Sequence, residues 1–571
     1  MQKRWVLKSQ GSPALVENLS NQLNCGSILC NLIAQRGIET FDDARNFFRP
    51  DLNHLHDPFL MKDMDKAVER IEAAIMNKEK ILVYGDYDVD GTTSVALMYT
   101  FLKSIYSEVG FYLPCRHAEG YGISFLGIDY AKENGYSLIV ALDCGIKANE
   151  KVDYANERNI DFIICDHHRP GDSLPNAAAV LDPKRADCNY PYDELSGCGI
   201  GFKLIQGFAQ RHNIPFVQLE PYLDLCAISI AADIVPITGE NRVLAHYGLR
   251  ELNKKPRPGI QAILELNNHK KVLTISDLVF LIGPRLNAAG RIENAKAAVE
   301  LLITNTKEKA LTAGIGINSV NADRRTLDLS ITEQALDMIR ADFNFETRKT
   351  TVLFGPDWHK GVIGIVASRL TEKYYRPTVI LTRNEQMATG SARSVKDFDI
   401  YNAIESCSDL LEQFGGHKYA AGLTLKVENV AAFQIKFEQV VSSTIEDRML
   451  VQEFEIDAEI RLKDITPSFF KVLKQFAPFG PGNMAPIFKS SAVFDKGYGR
   501  VVGSNHLKLS LCEPGMDNSL DAIGFQLGEF FPLISKQIPF DICYTIEENE
   551  WNGKTTLQLN LKDVRVPGAV S

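Results

Sequence analysis

The stretch ILVYGDYDVDGTTS, residues 81–94, places three aspartates, Asp86, Asp88 and Asp90, directly behind a run of apolar residues. A short apolar run bounded by glycine is typical of a buried β-strand. Three kinds of site could explain this much negative charge at a strand end. They are a calcium-binding loop, a phosphate-cradling loop, and one part of a metal cluster whose other ligands lie elsewhere in the chain.

The first two kinds of site fit the residues poorly. A calcium-binding loop needs a glutamate at its twelfth position, where this chain has Leu97, and it follows a helix rather than a strand. A phosphate-cradling loop closes in Gly-Lys-Ser/Thr, but Gly85 and Gly91 are one residue too far apart and Thr92 replaces the lysine. The metal cluster is therefore favoured, and it predicts further ligands.

Three further segments have the same layout, an apolar strand that ends in residues able to bind metal. YSLIVALDCG ends at Asp143, DFIICDHHRP ends at Asp166, His167 and His168, and AAAVLDP ends at Asp182. Helical stretches separate the first strands, which predicts a parallel sheet covered on both faces. Ligands of such sheets bind beyond the carboxyl ends of the strands, so these side chains should meet in one crevice.

A fifth contributor is Asp233, which ends the apolar helical segment LDLCAISIAAD before Pro236. Its two interpretations are a helix cap and a metal ligand. Carboxylates and imidazoles without paired thiolates suit Mn²⁺ or Mg²⁺ better than structural zinc, and five or more ligands can hold two ions. Paired ions are a recurring device for cleaving phosphate esters.

Length and composition are typical of an ordinary multidomain protein. The 571 residues predict three or four domains, and the net charge of −10 argues against unspecific coating of nucleic acid. We expect neither a membrane span nor a secretory signal, and hence a cytoplasmic location. The 11 cysteines form no C-x-x-C pair, and Cys144 and Cys165 are interpreted as packed thiols.

The second half of the chain has three sections. Residues 275–340 are predicted to be largely helical, and a strand–glycine–helix pattern then begins near residue 350. From about residue 450 the chain reads as short strands, with a hairpin at Asn552-Gly553, which suits a small β-barrel of the OB type. Its aromatic residues could stack bases, although core packing is the commoner role. These residues are Phe479, Phe488, Phe494 and Tyr498.

With DYDVDG, LDCG, DHH and AADIVP in this order, the chain resembles the DHH phosphoesterase superfamily. Within it the chain resembles the RecJ family of single-strand-specific 5′→3′ DNA exonucleases, through DPFLMKDMDKAVERI, GPRLNAAGRI, WHKGVIGIVASRL, GSARS and FGGHKYAAG. The resemblance implies an α/β fold with a parallel-sheet DHH domain, a smaller α/β DHH-associated domain, a long helical connector and a C-terminal OB-type β-barrel. The implied boundaries are 1–60 for an N-terminal segment packing on the DHH domain, 61–265 for the DHH domain, 266–345 for the connector, 346–445 for the DHH-associated domain and 450–571 for the OB domain.

The resemblance also implies roles for individual residues. One Mn²⁺ or Mg²⁺ ion would be held by Asp90, Asp143, His167 and Asp233, and a second by Asp86, Asp88 and Asp143. His168 would face the scissile phosphate, and Asp166 would orient a histidine. Arg116 would reach the bound strand near its 5′ end, and Arg285 or Arg291 would contact phosphate unless they form internal salt bridges. Ser391 and Arg393, on a tight turn, would take the 5′ phosphate, with Gly415, Gly416 and His417 lining the same cleft.

The implied function is a two-metal exonuclease that releases 5′-mononucleotides from single-stranded DNA in recombination and repair. The groove between the lobes is expected to be too narrow for a duplex. A monomer is expected, with a single-stranded-DNA-binding protein and a RecQ-type helicase as protein partners. The alternatives are an oligoribonuclease or nucleotide phosphatase of the same superfamily, and a non-catalytic DNA-binding scaffold. A scaffold would have lost ligands, and none is missing here.

Overall fold

The computed structural model describes residues 3–116, 118–292, 294–536, 538–551 and 553–566. The chain forms two compact units. Unit I contains Pro50–Gln334 and Pro478–Asn483, and unit II contains the described residues of 1–49, 335–477 and 484–571. Among the described residues, no helix is long and apolar enough to cross a membrane.

The strands of the described residues are numbered in chain order. They are β1 (Arg4–Leu7), β2 (Lys80–Gly85), β3 (Val109–Tyr112), β4 (Tyr136–Leu142), β5 (Asp161–Cys165), β6 (Ala179–Leu181), β7 (Thr351–Phe354), β8 (Thr378–Asn384), β9 (Met387–Arg393), β10 (Gln413–His417), β11 (Ala420–Lys426), β12 (Glu453–Ile456), β13 (Ala458–Glu459), β14 (Phe488–Asp495), β15 (Arg500–Val502), β16 (His506–Cys512), β17 (Leu520–Gly524), β18 (Phe540–Trp551) and β19 (Lys554–Arg565).

The α-helices are numbered in the same way. They are α1 (Pro13–Leu23), α2 (Ser27–Ala34), α3 (Phe41–Phe48), α4 (Met64–Met76), α5 (Val89–Ile105), α6 (Phe125–Glu133), α7 (Asn149–Asn156), α8 (Gly197–Arg211), α9 (Leu223–Ala232), α10 (Gly239–Lys254), α11 (Pro258–Leu266), α12 (Ile275–Asp277), α13 (Gly283–Ile292), α14 (Lys296–Ile303), α15 (Lys307–Ala341), α16 (Ile363–Tyr374), α17 (Ile400–Glu405), α18 (Val430–Thr444), α19 (Pro467–Leu473) and α20 (Phe531–Ile534).

Unit I is built on a five-stranded sheet in the order β3-β2-β4-β5-β6, in which every neighbouring pair is parallel. Its strands are apolar and buried because helices cover both faces. One core contains Ile81 and Val83 with side chains of α5, α8 and α9. The other contains Leu82 and Tyr84 with side chains of α6 and α7. The predicted parallel sheet is confirmed, and its carboxyl edge carries the aspartates of the first motif.

The region between residues 275 and 340 is largely helical, as predicted. A π-helical turn at Leu278–Ile282 joins α12 to α13, and the 35-residue α15 follows α14. The division between the two units falls within α15, after Gln334.

The first sheet of unit II has the order β10-β11-β9-β8-β7, and only β7 and β8 run parallel in it. Helices α17 and α18 close an apolar core on one face, where Phe433 and Phe437 pack against Leu381 and Leu423. Ser391 and Arg393 lie within β9 and not on a tight turn, so that prediction is wrong. Hydrogen bonding to β8 and β11 keeps this glycine-containing stretch extended.

The C-terminal strands of unit II form a closed ring. Their order is β14-β18-β19-β17-β16, and a pairing of β14 with β16 closes it. Trp551 pairs with Lys554 at the expected hairpin, although Asn552 itself lies outside the described residues. Phe488 is fully buried and therefore belongs to the core, Phe494 is half-buried, and Tyr498 is exposed. Phe479 belongs to unit I.

The N-terminal segment is divided between the two units. Strand β1 pairs in parallel with β12, and the indole Nε1 of Trp5 donates to Asp563 Oδ2 at 2.8 Å. The guanidinium of Arg565 lies 4.2 Å from the centre of the Trp5 ring. The described residues before Pro50 belong to unit II, and residues 50–60 belong to the unit with the parallel sheet. The packing of residues 1–60 on the DHH domain stays a prediction.

Candidate metal centre

The first motif is divided between a strand end and a helix start. Strand β2 ends at Gly85, and the side chain of Asp88 caps α5 by accepting a hydrogen bond from the Gly91 N–H at 3.0 Å. Aspartate is a favoured capping residue because its carboxylate satisfies a free N–H of the first turn. Asp90 consequently lies in the first turn of α5, where its buried side chain is held at the carboxyl edge of the sheet.

The side chains of four predicted ligands converge. His167 Nε2 lies 3.2 Å from Asp143 Oδ1, 3.6 Å from Asp233 Oδ2 and 3.8 Å from Asp90 Oδ2. Ligand atoms of Asp90, His167 and Asp233 all lie within 4.8 Å of one another. Both ring nitrogens of His167 are buried and have no hydrogen-bond partner among the described residues, and the same is true of Asp86 Oδ2 and Asp143 Oδ2.

The electrostatics of this cluster favour a bound cation. Burial and then the charge of Asp90 raise the pKa of Asp143 far above its usual range, and the same two causes raise the pKa of Asp233 to about 8. Burial and the charge of Asp88 likewise raise the pKa of Asp86. Buried carboxylates that repel one another are costly unless positive charge lies among them. These oxygen and imidazole donors fit Mn²⁺ or Mg²⁺.

Two strained backbone positions accompany the ligands. Asp143 has φ of 60° and Ile234, directly after Asp233, has φ of 61°. This left-handed region is unfavourable for a β-branched residue, and such outliers concentrate at functional sites. The positive φ turns the chain sharply after β4, and a Cβ on Gly197 would lie only 2.6 Å from Asp143 Cβ.

His168 is held by Asp166 beside the cluster. Its Nδ1 lies 2.7 Å from Asp166 Oδ1, and Asp166 also accepts from the backbone N–H groups of Ile146, His167 and His168. Burial alone would raise the pKa of Asp166, but the hydrogen bond from His168 and its charge lower it to about 2. For His168 burial has the opposite sign and lowers the pKa, but the hydrogen bond and charge of Asp166 outweigh burial and raise the pKa to about 9. Asp166 therefore orients His168 and favours its protonated form.

The donors for a second ion are arranged less completely. A second group of donors within 4.8 Å of one another consists of Asp143, His167 and His168. Among the described residues, Asp86 and Asp88 belong to no such group of three. Asp86 is held by the Gly122 N–H, which donates to its Oδ1 at 3.1 Å. The assignment of Asp86 and Asp88 to a second ion thus remains a prediction.

Tyr121 is a residue of the site that the sequence analysis missed. Its hydroxyl lies 3.2 Å from the backbone oxygen of Asp143 and 3.2 Å from His168 Nε2. About half of the residue is exposed. The only signal in the sequence is its position between two glycines, Gly120 and Gly122. The neighbouring Arg116 stacks over Tyr87, with 4.9 Å from its guanidinium carbon to the ring centre.

The two arginines of GPRLNAAGRI have different surroundings. Arg285 is buried, and its guanidinium donates to Asn318 Oδ1, Leu281 O and Asn267 Oδ1. These acceptors are neutral, and a phosphate contact by either arginine stays a prediction. Arg291 is half-buried. Burial and the charge of Asp86 raise the pKa of the nearby Tyr87, and the charge of Arg291 has a smaller effect in the opposite direction.

Unit II brings its predicted residues onto one face of a sheet. Across the strands, Arg393 pairs with Ala420 and Ala420 with His417, while Ser391 pairs with Gly422 and Gly422 with Gly415. Directly opposed residues point to the same face of a sheet. A Cβ on Gly364, in the first turn of α16, would lie 3.0 Å from Ser391 Oγ and 3.2 Å from Arg393 Nη2.

Two other residues have structural explanations. Gly416 has φ of 146°, and a Cβ there would lie 2.4 Å from the backbone oxygen of Ala420, so its glycine is needed for the hairpin. Asp182 ends β6 as predicted and accepts from the Lys184 N–H at 2.7 Å. Among the described residues, Asp182 belongs to neither group of metal-donor atoms.

Comparison with known protein families agrees with this architecture. The model of the DHH family N-terminal domain matches residues 80–230, the DHHA1 domain matches residues 347–443, and the RecJ OB domain matches residues 456–563. The strand-end carboxylates and the DHH triplet lie within the first match. Fold and site therefore define a DHH-family protein with an associated α/β domain and a C-terminal OB domain, which confirms the predicted fold class.

Individual relatives narrow this class. The single-stranded-DNA-specific exonuclease RecJ of Bacillus subtilis is 35% identical over 567 residues, covering 99% of this chain and 71% of the relative. The enzyme of the same name from Dickeya dadantii is 33% identical over 556 residues, covering 93% of this chain and 95% of the relative. The crystal structure of Thermus thermophilus RecJ in complex with Mn²⁺ matches with a TM-score of 0.85 at 26% identity, covering 99% of this chain and 80% of the other. The chain belongs to the RecJ family of single-stranded-DNA-specific exonucleases.

Proposed function

We propose that the protein degrades single-stranded DNA from its 5′ end, in the 5′→3′ direction, and releases 5′-mononucleotides with the help of two divalent ions. The observation that carries the proposal is the environment of His167. Its Nε2 faces carboxylate oxygens of Asp90, Asp143 and Asp233 within 3.8 Å and has no hydrogen-bond partner among the described residues. A buried imidazole among three carboxylates is explained by a cation that all of them bind.

The family resemblance implies which residues would hold the ions, and the convergence around His167 supports the first of the two sets. Asp90, Asp143, His167 and Asp233 would hold one ion, and Asp86, Asp88 and Asp143 the other. Bound there, Mn²⁺ or Mg²⁺ would lower the pKa of a water molecule and neutralise charge that develops on the phosphate. The structures of Thermus thermophilus RecJ that match this chain are complexes with Mn²⁺ and with Mg²⁺, which supports either ion here.

His168 is placed to contact the scissile phosphate. Asp166 fixes its Nδ1, so Nε2 is the nitrogen that remains for the substrate, with the Tyr121 hydroxyl 3.2 Å away. Burial lowers the pKa of His168, but the hydrogen bond and charge of Asp166 raise it to about 9, which favours a proton on this nitrogen. A protonated Nε2 can donate to a phosphate oxygen and stabilise the negative charge of the transition state.

The sheet face of unit II would bind the 5′ phosphate. Ser391 and Arg393 lie against the first turn of α16, where the N-cap residue Val362 provides no side-chain acceptor. A helix N-terminus and a nearby guanidinium are well suited to a phosphate. Gly415 and Gly422 leave the adjoining sheet surface without side chains, which would let the DNA backbone approach.

The first experiment is a time course on a 5′-labelled single-stranded oligomer, with chelator and with each ion. We expect the labelled mononucleotide to appear first, and only with Mn²⁺ or Mg²⁺. Equal degradation of a blunt duplex, or activity in chelator, would contradict the proposal. A dinucleotide degraded faster than the long oligomer would favour the oligoribonuclease alternative.

The second experiment tests the end-binding site. Arg393→Ala should remove any preference for a 5′-phosphorylated oligomer over its 5′-hydroxyl form, a change worth about 1.5–3 kcal/mol for a lost charged hydrogen bond. Arg383→Ala, which removes an exposed arginine from the neighbouring β8, is the control and should keep the preference. An unchanged preference in Arg393→Ala would overturn the assignment.

A role in DNA recombination and repair belongs to the same proposal, as do a single-stranded-DNA-binding protein and a RecQ-type helicase as partners. Co-sedimentation of the purified proteins with and without single-stranded DNA would test these partners. Independent migration of all components under both conditions would contradict this part.

A further inference from the structure

We propose that Ser229 is a positioning residue that fixes the carboxylate of Asp90, so that Asp90 contacts its ion through Oδ2 alone. The inference rests on the proposed metal-binding function of the cluster and adds a residue to it. Ser229 lies on α9 and is fully buried.

Three strong donors surround the Asp90 carboxylate. The Gly197 N–H donates to Oδ2 at 2.7 Å, and the Cys198 N–H donates to Oδ1 at 2.8 Å, both from the first turn of α8. The Ser229 hydroxyl lies 2.7 Å from Oδ1. The N-terminus of α8 therefore supplies two backbone donors to Asp90, and Ser229 supplies the one side-chain donor among these three.

The direction of the Ser229 hydrogen bond follows from its neighbours. Ser229 Oγ also lies 2.6 Å from Ser196 Oγ, which accepts from the Gly199 N–H at 3.1 Å as the cap of α8. The Ser229 hydroxyl has one proton and faces two acceptors, Asp90 Oδ1 and Ser196 Oγ. Ser196 already accepts from Gly199, so we infer that the proton of Ser229 is directed to Asp90.

The two carboxylate oxygens of Asp90 have different hydrogen-bond partners. Oδ1 accepts from both Cys198 and Ser229, which occupies its two lone pairs. Among the described residues, Oδ2 accepts a hydrogen bond from Gly197 alone, and it lies 3.8 Å from His167 Nε2, near the ligand atoms of Asp233. The remaining lone pair of Oδ2 is thus the one available to an ion. Without the Ser229 proton, the carboxylate could rotate and lose this orientation.

Ser229 also links Asp90 to a second ligand. Its backbone oxygen accepts from the Asp233 N–H at 2.9 Å, in the last turn of α9. The side chain of one residue thus holds Asp90 while its main chain holds Asp233. Groups that orient a metal ligand in this way commonly change metal affinity about 10–100-fold when they are removed.

The test is equilibrium binding of Mn²⁺ to the full-length protein without DNA, followed by the electron paramagnetic resonance signal of free Mn²⁺. In Ser229→Ala we expect one of the bound ions to dissociate about tenfold more readily. The matched control is Ser94→Ala, because Ser94 is equally buried but its Oγ lies 3.4 Å from the same Oδ1. The control should bind Mn²⁺ within about twofold of wild type, since so long a contact is weak.

Each outcome decides the proposal. Wild-type affinity in Ser229→Ala, or an equal loss in Ser94→Ala, would overturn the role of Ser229. If Ser229→Ala does not fold, Ser229→Cys is the second variant, because it keeps a side chain of similar volume but with a weaker donor. A loss of Mn²⁺ affinity that is measurable but smaller than tenfold in this variant supports the role. Unchanged affinity in that variant opposes it. Failure of the wild-type protein to bind Mn²⁺ would instead refute the proposed function and, with it, this inference.

Discussion

Helix α13 approaches the first motif so closely that one glycine decides whether the metal loop keeps its position. A Cβ on Gly290 would lie 2.3 Å from the backbone oxygen of Tyr87, between Asp86 and Asp88. Ordinary contact needs about 3.5 Å, so Gly290→Ala must separate the helix and the loop by about 1 Å. Overpacking of this kind costs about 1–3 kcal/mol, which outweighs the gain of about 1 kcal/mol from placing alanine in a helix.

The catalytic effect of this substitution should be larger than its effect on stability. A displacement of about 1 Å in an active site can lower the rate about 100-fold. The assay is the initial rate of nucleotide release at saturating Mn²⁺, together with urea denaturation. Gly316→Ala in α15 is the control, because a Cβ there would meet nothing within 4 Å and should stabilise the helix by about 1 kcal/mol. A wild-type rate in Gly290→Ala would refute the reasoning.

Three further predictions concern stability. A carboxyl group whose pKa is higher in the folded protein than its unfolded value of about 3.9 destabilises the fold increasingly as pH rises between the two values. The pKa of Asp233 is about 8. The metal-free protein should therefore melt at a higher temperature at pH 5.5 than at pH 8. Scanning calorimetry in chelator should show a weaker pH dependence in Asp143→Asn, and a dependence equal to that of wild type would contradict this. Trp5→Phe should cost about 1–2 kcal/mol in urea denaturation, because it leaves Asp563 without its indole donor; no loss would mean that β1 is not anchored there. Arg285→Ala should cost about 1–3 kcal/mol but leave the Kd for single-stranded DNA nearly unchanged, and the reverse pattern would support a role as a DNA contact.

The convergence of the ligands could be predicted because a parallel sheet brings the carboxyl ends of its strands to one edge. Asp143 and His167 follow neighbouring strands, and apolar strands separated by helical segments allow few other arrangements. The position of Asp90 inside α5 was harder to predict from the sequence, because the helix begins within the motif itself. Its anchoring by α8 depends on a contact between residues 107 positions apart, which no local pattern shows.

The placement of the N-terminal segment could not be predicted for a similar reason. Strand β1 is 4 residues long, and its partner β12 begins at Glu453, so the pairing is fixed by tertiary structure alone. The roles of Arg285 and Ser229 also depend on their surroundings. An arginine in a glycine-rich motif resembles a phosphate ligand until its acceptors are known, and a serine in an apolar helix shows no function until its neighbours are known.

The measurement that tests the account most directly is anomalous diffraction from crystals soaked in Mn²⁺. The account predicts two peaks, one of them bounded by Asp90, Asp143, His167 and Asp233, with Oδ2 as the Asp90 atom nearest to it. A map with no peak among these side chains, or with the four side chains turned away from a common point, would contradict the metal centre and the chemistry proposed for it.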